Sequence, residues 1–212
     1  MTTAVSRVWM TVMGMAFAVL LMGLPQMAAA QVTAFKQAVA EAAARDADMA
    51  AFYKANGYSS LWTGRTGRER QRRVALFQAL SQAGNHGLPA ARYDAAGLQA
   101  KMKAAKTGRD RGLVEVEMSR TFLQYARDLQ TGVLVPSRVD RAIVRQVPYR
   151  DRTSYLVNFS KSSPNGFFKA LPPKTTEYNA LMKEKLRMER LLAKGGWGAT
   201  VPADALKAGH SG

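Results

Sequence analysis

His86 and His210 are the only imidazoles in a chain of 212 residues, and cysteine is absent altogether. The missing thiol removes disulfides, thiolate metal sites and a cysteine nucleophile together. A Ser-His-Asp relay would have to be built on one of the two histidines. His86 lies in the turn-forming run His86-Gly87-Leu88-Pro89 and His210 lies close to the end, and nothing local to either supplies the partners such a relay needs. His86 therefore reads as a structural turn residue. Among the acids, Glu115 and Glu117 stand two apart and point to different faces of a helix, as do Asp46 and Asp48, so neither pair chelates a cation. A glycosidase-type carboxylate pair needs only spatial proximity, and no spacing in the chain singles one out. The sequence thus assigns no catalytic residue, no metal ligand and no cofactor.

Basic residues are plentiful: 31 Lys and Arg against 15 Asp and Glu, a formal charge of +16. Arg65, Arg68, Arg70, Arg72 and Arg73 crowd one short stretch and are the candidate polyanion-binding residues. Lys101, Lys103, Lys106, Arg109 and Arg111 form a second group, and Arg138, Arg141, Arg145, Arg150 and Arg152 a third. Such charge concentrates any polyanion nearby and weakens with salt. No nucleic-acid recognition motif accompanies it, so nucleic acid is not the expected partner.

The elements that would position these residues begin after an export signal. Arg7 precedes an apolar stretch from Val8 to Pro25, and Ala28-Ala29-Ala30 leads into Gln31, which reads as a cleavable signal peptide over residues 1–30. No second apolar run is long enough to span a bilayer, so no transmembrane segment is expected after cleavage and the destination is the periplasm. The remainder is long enough for one hydrophobic core, and two would each be marginal. Residues 31–194 are expected to form a single irregular all-α bundle, with 195–212 as a linker or tail.

Within that domain, apolar spacing predicts one helix over Val32 to Asn56, a second carrying Val74, Phe77 and Leu80, and a short one after Asp94. Val114, Met118, Thr121, Phe122, Tyr125 and Leu129 form an unbroken stripe that marks a central helix ending at Gly132. Short helices are expected at Arg138 to Arg145, Tyr155 to Phe159 and from Pro164 through Phe168. A last one runs from about Thr175 to Leu192, with Tyr178, Leu181, Met188 and Leu192 on one side. Phe52, Tyr53, Trp62, Phe77, Phe122 and Tyr125 are the expected core, and Trp197, flanked by glycines, is a candidate docking contact.

Taken in order, Phe52-Tyr53, Asn56, Tyr58, Leu61-Trp62, Leu80, Ala83, His86-Gly87-Leu88-Pro89 and Tyr93 are followed by Phe122, Tyr125, Asp128-Leu129, Gly132, Pro136, Leu171-Pro172, Tyr178 and Leu181. This order resembles the N-terminal scaffold domain of the large murein L,D-transpeptidases, over about Phe35 to Leu192. In that family the resemblance implies a helical domain followed by a peptidoglycan-binding module and a catalytic domain whose cysteine sits in a Ser-His-Gly-Cys motif. No such motif occurs here, so no catalytic residue carries over. The expected role is a non-catalytic scaffold or adaptor in L,D-transpeptidation, with peptidoglycan or a separate catalytic chain as partner. An N-terminal fragment of a longer transpeptidase and an autonomous basic binder of envelope polyanions are the alternatives.

Overall fold

The computed structural model describes residues 24–144 and 146–198, with side chains from residue 33 onward. Residues 1–23 of the expected signal peptide, Arg145 and His210 lie outside the described residues. Every regular element described is helical, as expected: α1 (Leu24–Ala43), α2 (Ala47–Ala55), α3 (Gly67–Ser81), α4 (Ala95–Ala104), α5 (Gly108–Thr131), α6 (Pro136–Val139), α7 (Arg152–Lys161), α8 (Pro164–Ala170) and α9 (Thr176–Ala193), with two 3-10 turns between α3 and α4.

The centre is α5. Thr107 and Asp110 form a reciprocal capping box at its start, the Asp110 N–H donating to Thr107 Oγ1 at 3.0 Å and the Thr107 N–H to Asp110 Oδ2 at 2.9 Å. Val114, Met118, Phe122, Tyr125 and Leu129 are all buried, as their spacing predicts. Gly132, at φ 81°, ends the helix in a conformation that side-chain-bearing residues rarely adopt. Helices α1, α4 and α7 pack around α5, and α2 bridges α1 and α7.

Three expectations differ from what is observed. The single helix over Val32 to Asn56 is two, because the Asp46 side chain accepts the Met49 N–H at 3.3 Å and starts α2 afresh. The second helix begins earlier than Val74, because the arginine-rich stretch from Gly67 is already the first half of α3, begun by a Thr66–Glu69 capping box. Its buried face is Arg72, Ala75, Leu76, Ala79 and Leu80, which rotates Val74 outward to 60% exposure and leaves Phe77 half-buried. The helix expected from Arg138 to Arg145 shrinks to α6. Asp140 leaves helical dihedrals (φ −146°, ψ 128°) and its carboxylate instead accepts the Ala142 N–H at 2.8 Å, the local competition short acids offer a helix.

Aromatic residues fill the middle. Trp62 stacks on Phe159 with centroids 4.9 Å apart, Phe122 lies 5.5 Å from Trp62 and 4.9 Å from Phe159, and Phe167 and Phe168 of α8 close over them. Helix α9 is different. None of its residues is fully buried: on its expected apolar side Tyr178 and Met188 are half-buried, while Leu181 and Leu192 are 71% and 64% exposed.

Close approach of α1 to α5 depends on Gly112. A Cβ there would sit 2.7 Å from the Phe35 carbonyl oxygen and 2.8 Å from the Ala38 Cβ, nearer than backbone can tolerate. Gly112→Val is expected to lower stability by about 1–3 kcal/mol through overpacking and to raise amide hydrogen exchange over residues 35–43 of α1 before any other segment. Unchanged exchange there together with an unchanged melting temperature would show that α1 yields without cost.

Candidate functional site

Glu115 lies in the first half of α5, fully buried, and five donors converge on its carboxylate. Oε1 accepts the backbone N–H of Leu61 at 2.6 Å and the Tyr53 hydroxyl at 3.0 Å. Oε2 accepts the Thr63 N–H and the Thr63 hydroxyl, both at 2.8 Å, and the Trp62 N–H lies between the two oxygens at 3.1 and 3.2 Å. Consecutive amides aimed at one anion make a preformed receptor of backbone dipoles. Burial pushes the Glu115 carboxyl above the usual range, and the donors on Thr63, Leu61 and Tyr53 oppose that rise. Burial and the adjacent carboxylate likewise push the Tyr53 phenol well above its ordinary value.

The receptor is a consequence of the turn that precedes it. Gly57 and Tyr58 both take left-handed dihedrals (φ 60° and 57°), the Tyr58 N–H reaches back to the Tyr53 carbonyl at 2.8 Å, and the Asn56 amide donates to the Ser59 carbonyl at 3.1 Å. Glycine adopts that region freely, while a tyrosine there is strained and is held by its surroundings. Ser119, one turn beyond Glu115, accepts the Trp62 indole N–H at 2.8 Å and lies 2.7 Å from the Tyr53 hydroxyl. One orientation gives each group a single proton to donate: Trp62 to Ser119, Ser119 to Tyr53, Tyr53 to Glu115. The residues thereby assembled, Tyr53, Leu61, Trp62 and Thr63 with Glu115 and Ser119, form a buried structural knot with no open face for a substrate.

The candidate polyanion cluster divides in two. Arg65, Arg68 and Arg70 are exposed at the start of α3. Arg72 is only 6% exposed, and its guanidinium donates to the Ser160 carbonyl at 2.7 Å and the Leu61 carbonyl at 3.4 Å. Arg73 is half-buried and donates to the carbonyls of Trp62 and Gly64. Burial pulls both guanidiniums below their usual range. Arg72 and Arg73 therefore secure the 61–64 segment and face no solvent-borne anion, which leaves the first three as the accessible part of the cluster. Sequence reasoning also missed Glu115. Its one local signal is its position between Val114 and Val116, both buried, on a helix with apolar residues on most sides.

His86 faces neither an acid nor a serine. Its Nδ1 lies 2.6 Å from the Tyr178 hydroxyl of α9, the two rings are stacked 16° from parallel, and His86 borders a cleft of ≈ 510 Å³ together with Tyr125, Phe168 and Lys169. Burial lowers its pKa. Among the described residues no three His, Asp or Glu side chains converge as a metal site would need.

The model of the Scaffold domain family matches residues 47–184, well over half of the chain. The chain belongs to the scaffold-domain family of the L,D-transpeptidases. No curated protein and no solved structure matches it. The matched scaffold domain is non-catalytic, its family is associated with periplasmic enzymes, and the whole sequence holds no cysteine. No described helix of this scaffold domain is long and apolar enough to cross a membrane. Of the residues that carry the resemblance, Tyr53, Leu61, Trp62, Phe122 and Tyr125 are buried together in the knot and its surroundings, and Asp128 receives Arg92 at 2.8 Å and the Tyr93 hydroxyl at 3.1 Å.

Two outcomes are expected. Glu115→Gln replaces an acceptor-only group by one whose amide must face an N–H donor, and should cost about 2–4 kcal/mol, read as a fall in melting temperature; Glu117→Gln on the exposed side of α5 should change it little. A Glu115→Gln melt equal to the parent would remove the knot from its central place. For His86 the folded pKa is depressed, so the docked state prefers the neutral ring. That preference is fully present above the unfolded value near 6.5 and is lost as pH falls below it. Exchange protection of Tyr178 and its neighbours should drop between pH 7.5 and pH 5, and His86→Asn should flatten the profile.

Proposed function

We propose that this chain is an exported, non-catalytic scaffold that serves peptidoglycan L,D-transpeptidation by holding a partner catalytic module. The observation that carries the reading is the scaffold-domain match over 47–184 in a sequence without a cysteine nucleophile. A thiolate is what the acyl-enzyme step of that chemistry requires, so the reaction is assigned to a separate catalytic unit. Export is supported by Arg7, the Val8–Pro25 apolar stretch and Ala28-Ala29-Ala30 before Gln31. An aromatic core beside a largely exposed α9, with Leu181 and Trp197 open to solvent, suits a body that presents one helix to a partner.

A second reading, a basic binder of envelope polyanions, is favoured by the exposed Arg65, Arg68 and Arg70 and by the charge of +16. It predicts sacculus binding that falls steeply with salt and is lost in the Arg65→Gln, Arg68→Gln, Arg70→Gln variant.

The deciding experiment places a photo-crosslinking amino acid at Leu181 or Trp197 in the full chain in its own cells. The expected adduct contains a Ser-His-Gly-Cys catalytic domain, and deletion of the gene should reduce 3-3 cross-links in the muropeptide profile. Adducts free of any wall enzyme, with an unchanged profile, overturn the scaffold reading.

A further inference from the structure

We infer that an arginine-walled cleft beside the C-terminal half of α5 binds acidic peptide, namely the carboxylates of peptidoglycan stem peptides. The inference deepens the scaffold reading by naming what one surface of the domain holds.

The cleft encloses ≈ 400 Å³ between α5 and the Gly132–Arg138 segment. Arg92, Arg120, Arg127, Arg138 and Arg152 line it, against one carboxylate, Asp128. The paired charges are soon accounted for. Asp128 is buried and taken up by Arg92 and Tyr93, and Arg152 reaches Asp46 at 2.6 Å and Asp48 at 3.1 Å. Arg120, Arg127 and Arg138 form no ion pair among the described residues, and all three are exposed. Guanidiniums gathered around one concavity repel each other and focus a positive potential into it, an arrangement that an anion relieves. The Arg127 guanidinium lies 4.3 Å over the Tyr149 ring, which holds the planar fork flat and leaves its edge donors free for bidentate contact with a carboxylate.

Spacing points to more than a point anion. Arg120 and Arg127 are seven residues apart on one helix face, an axial separation of about 10 Å, which about three residues of extended peptide would span. In the Gly132–Arg138 segment the Val133, Leu134 and Val135 N–H groups donate to no backbone acceptor among the described residues, and Val135 is extended, with φ −93° and ψ 110°. Leu134 is 67% exposed at the rim and Leu123 is buried at the wall. Free amides beside aliphatic surface pair with a peptide backbone and its side chains, and a small inorganic anion would use neither.

The test is titration of the full chain with a synthetic stem tetrapeptide bearing free carboxylates, its fully amidated counterpart, and pyrophosphate, followed by calorimetry. The free-carboxylate peptide should bind, the amidated one should not, and pyrophosphate should fail to displace it at equal concentration. Arg120→Gln with Arg127→Gln and Arg138→Gln should weaken binding by about tenfold or more. Arg65→Gln with Arg68→Gln and Arg70→Gln should change it less than about twofold, as expected of exposed charges outside the cleft. Single Arg120→Gln, the mildest change, should show an intermediate loss, and far-UV dichroism with a thermal melt verifies the fold. Equal binding of the amidated peptide, displacement by pyrophosphate, or undiminished affinity in the cleft variant each overturns the inference. Loss of peptide binding with retained photo-crosslinking to a catalytic domain would remove only the cleft, whereas loss of the crosslink and an unchanged muropeptide profile would remove the scaffold reading itself.

Discussion

A carboxylate placed inside an apolar helix packing must find donors or it costs several kcal/mol, and Glu115 finds them in the loop that joins α2 to α3. Because the Leu61, Trp62 and Thr63 amides point inward to the acid, their loop cannot relax, and Tyr58 is held in left-handed backbone to let it turn. The carbonyls of the same loop point the other way, where Arg72 and Arg73 receive them. A segment without helix or strand of its own thus has the Leu61, Trp62 and Thr63 donors met by one buried anion and the Leu61, Trp62 and Gly64 acceptors by two cations, so these backbone groups need no water. Trp62 is carried into the core by that arrangement, and the stack with Phe122 and Phe159 follows from it.

Much of this was legible in the chain, for identifiable reasons. The α5 stripe was visible because its apolar residues recur at three and four, and the Gly132 stop and the Asp94 and Pro164 starts are marked by residues whose local chemistry favours those positions. What was not legible is charge that turns inward. Arg72 and Arg73 sit in a run of five arginines, and nothing within the run separates the two that serve carbonyls from the three that face solvent. The partners, at Leu61, Trp62, Gly64 and Ser160, lie in other elements. Val74 was misplaced for the same reason: the face of α3 is chosen by Leu76 and Leu80 against α5's neighbours, a tertiary decision that the weak apolar pattern of the helix does not reveal.

The same regrouping governs the surface. Sequence proximity gathers basic residues into three runs, while the fold draws Arg92, Arg120, Arg127, Arg138 and Arg152 from four separate stretches into one concavity. Function in a domain without a nucleophile then lies in how such groups are arrayed on a rigid body. The central helix contributes to both tasks at once, its buried face fixing the loop and its outer face carrying Arg120 and Arg127.

Helix α9 has a consequence of its own. It is 18 residues long, near the length at which an isolated helix is only marginally formed in water, and no residue of it is buried. Its internal ion pairs are Lys185–Glu189 and Glu184–Arg187, which overlap within the same stretch of its surface. Rising salt screens those pairs and leaves the aromatic core untouched, so the surrounding medium acts on this helix more than on the body that carries it.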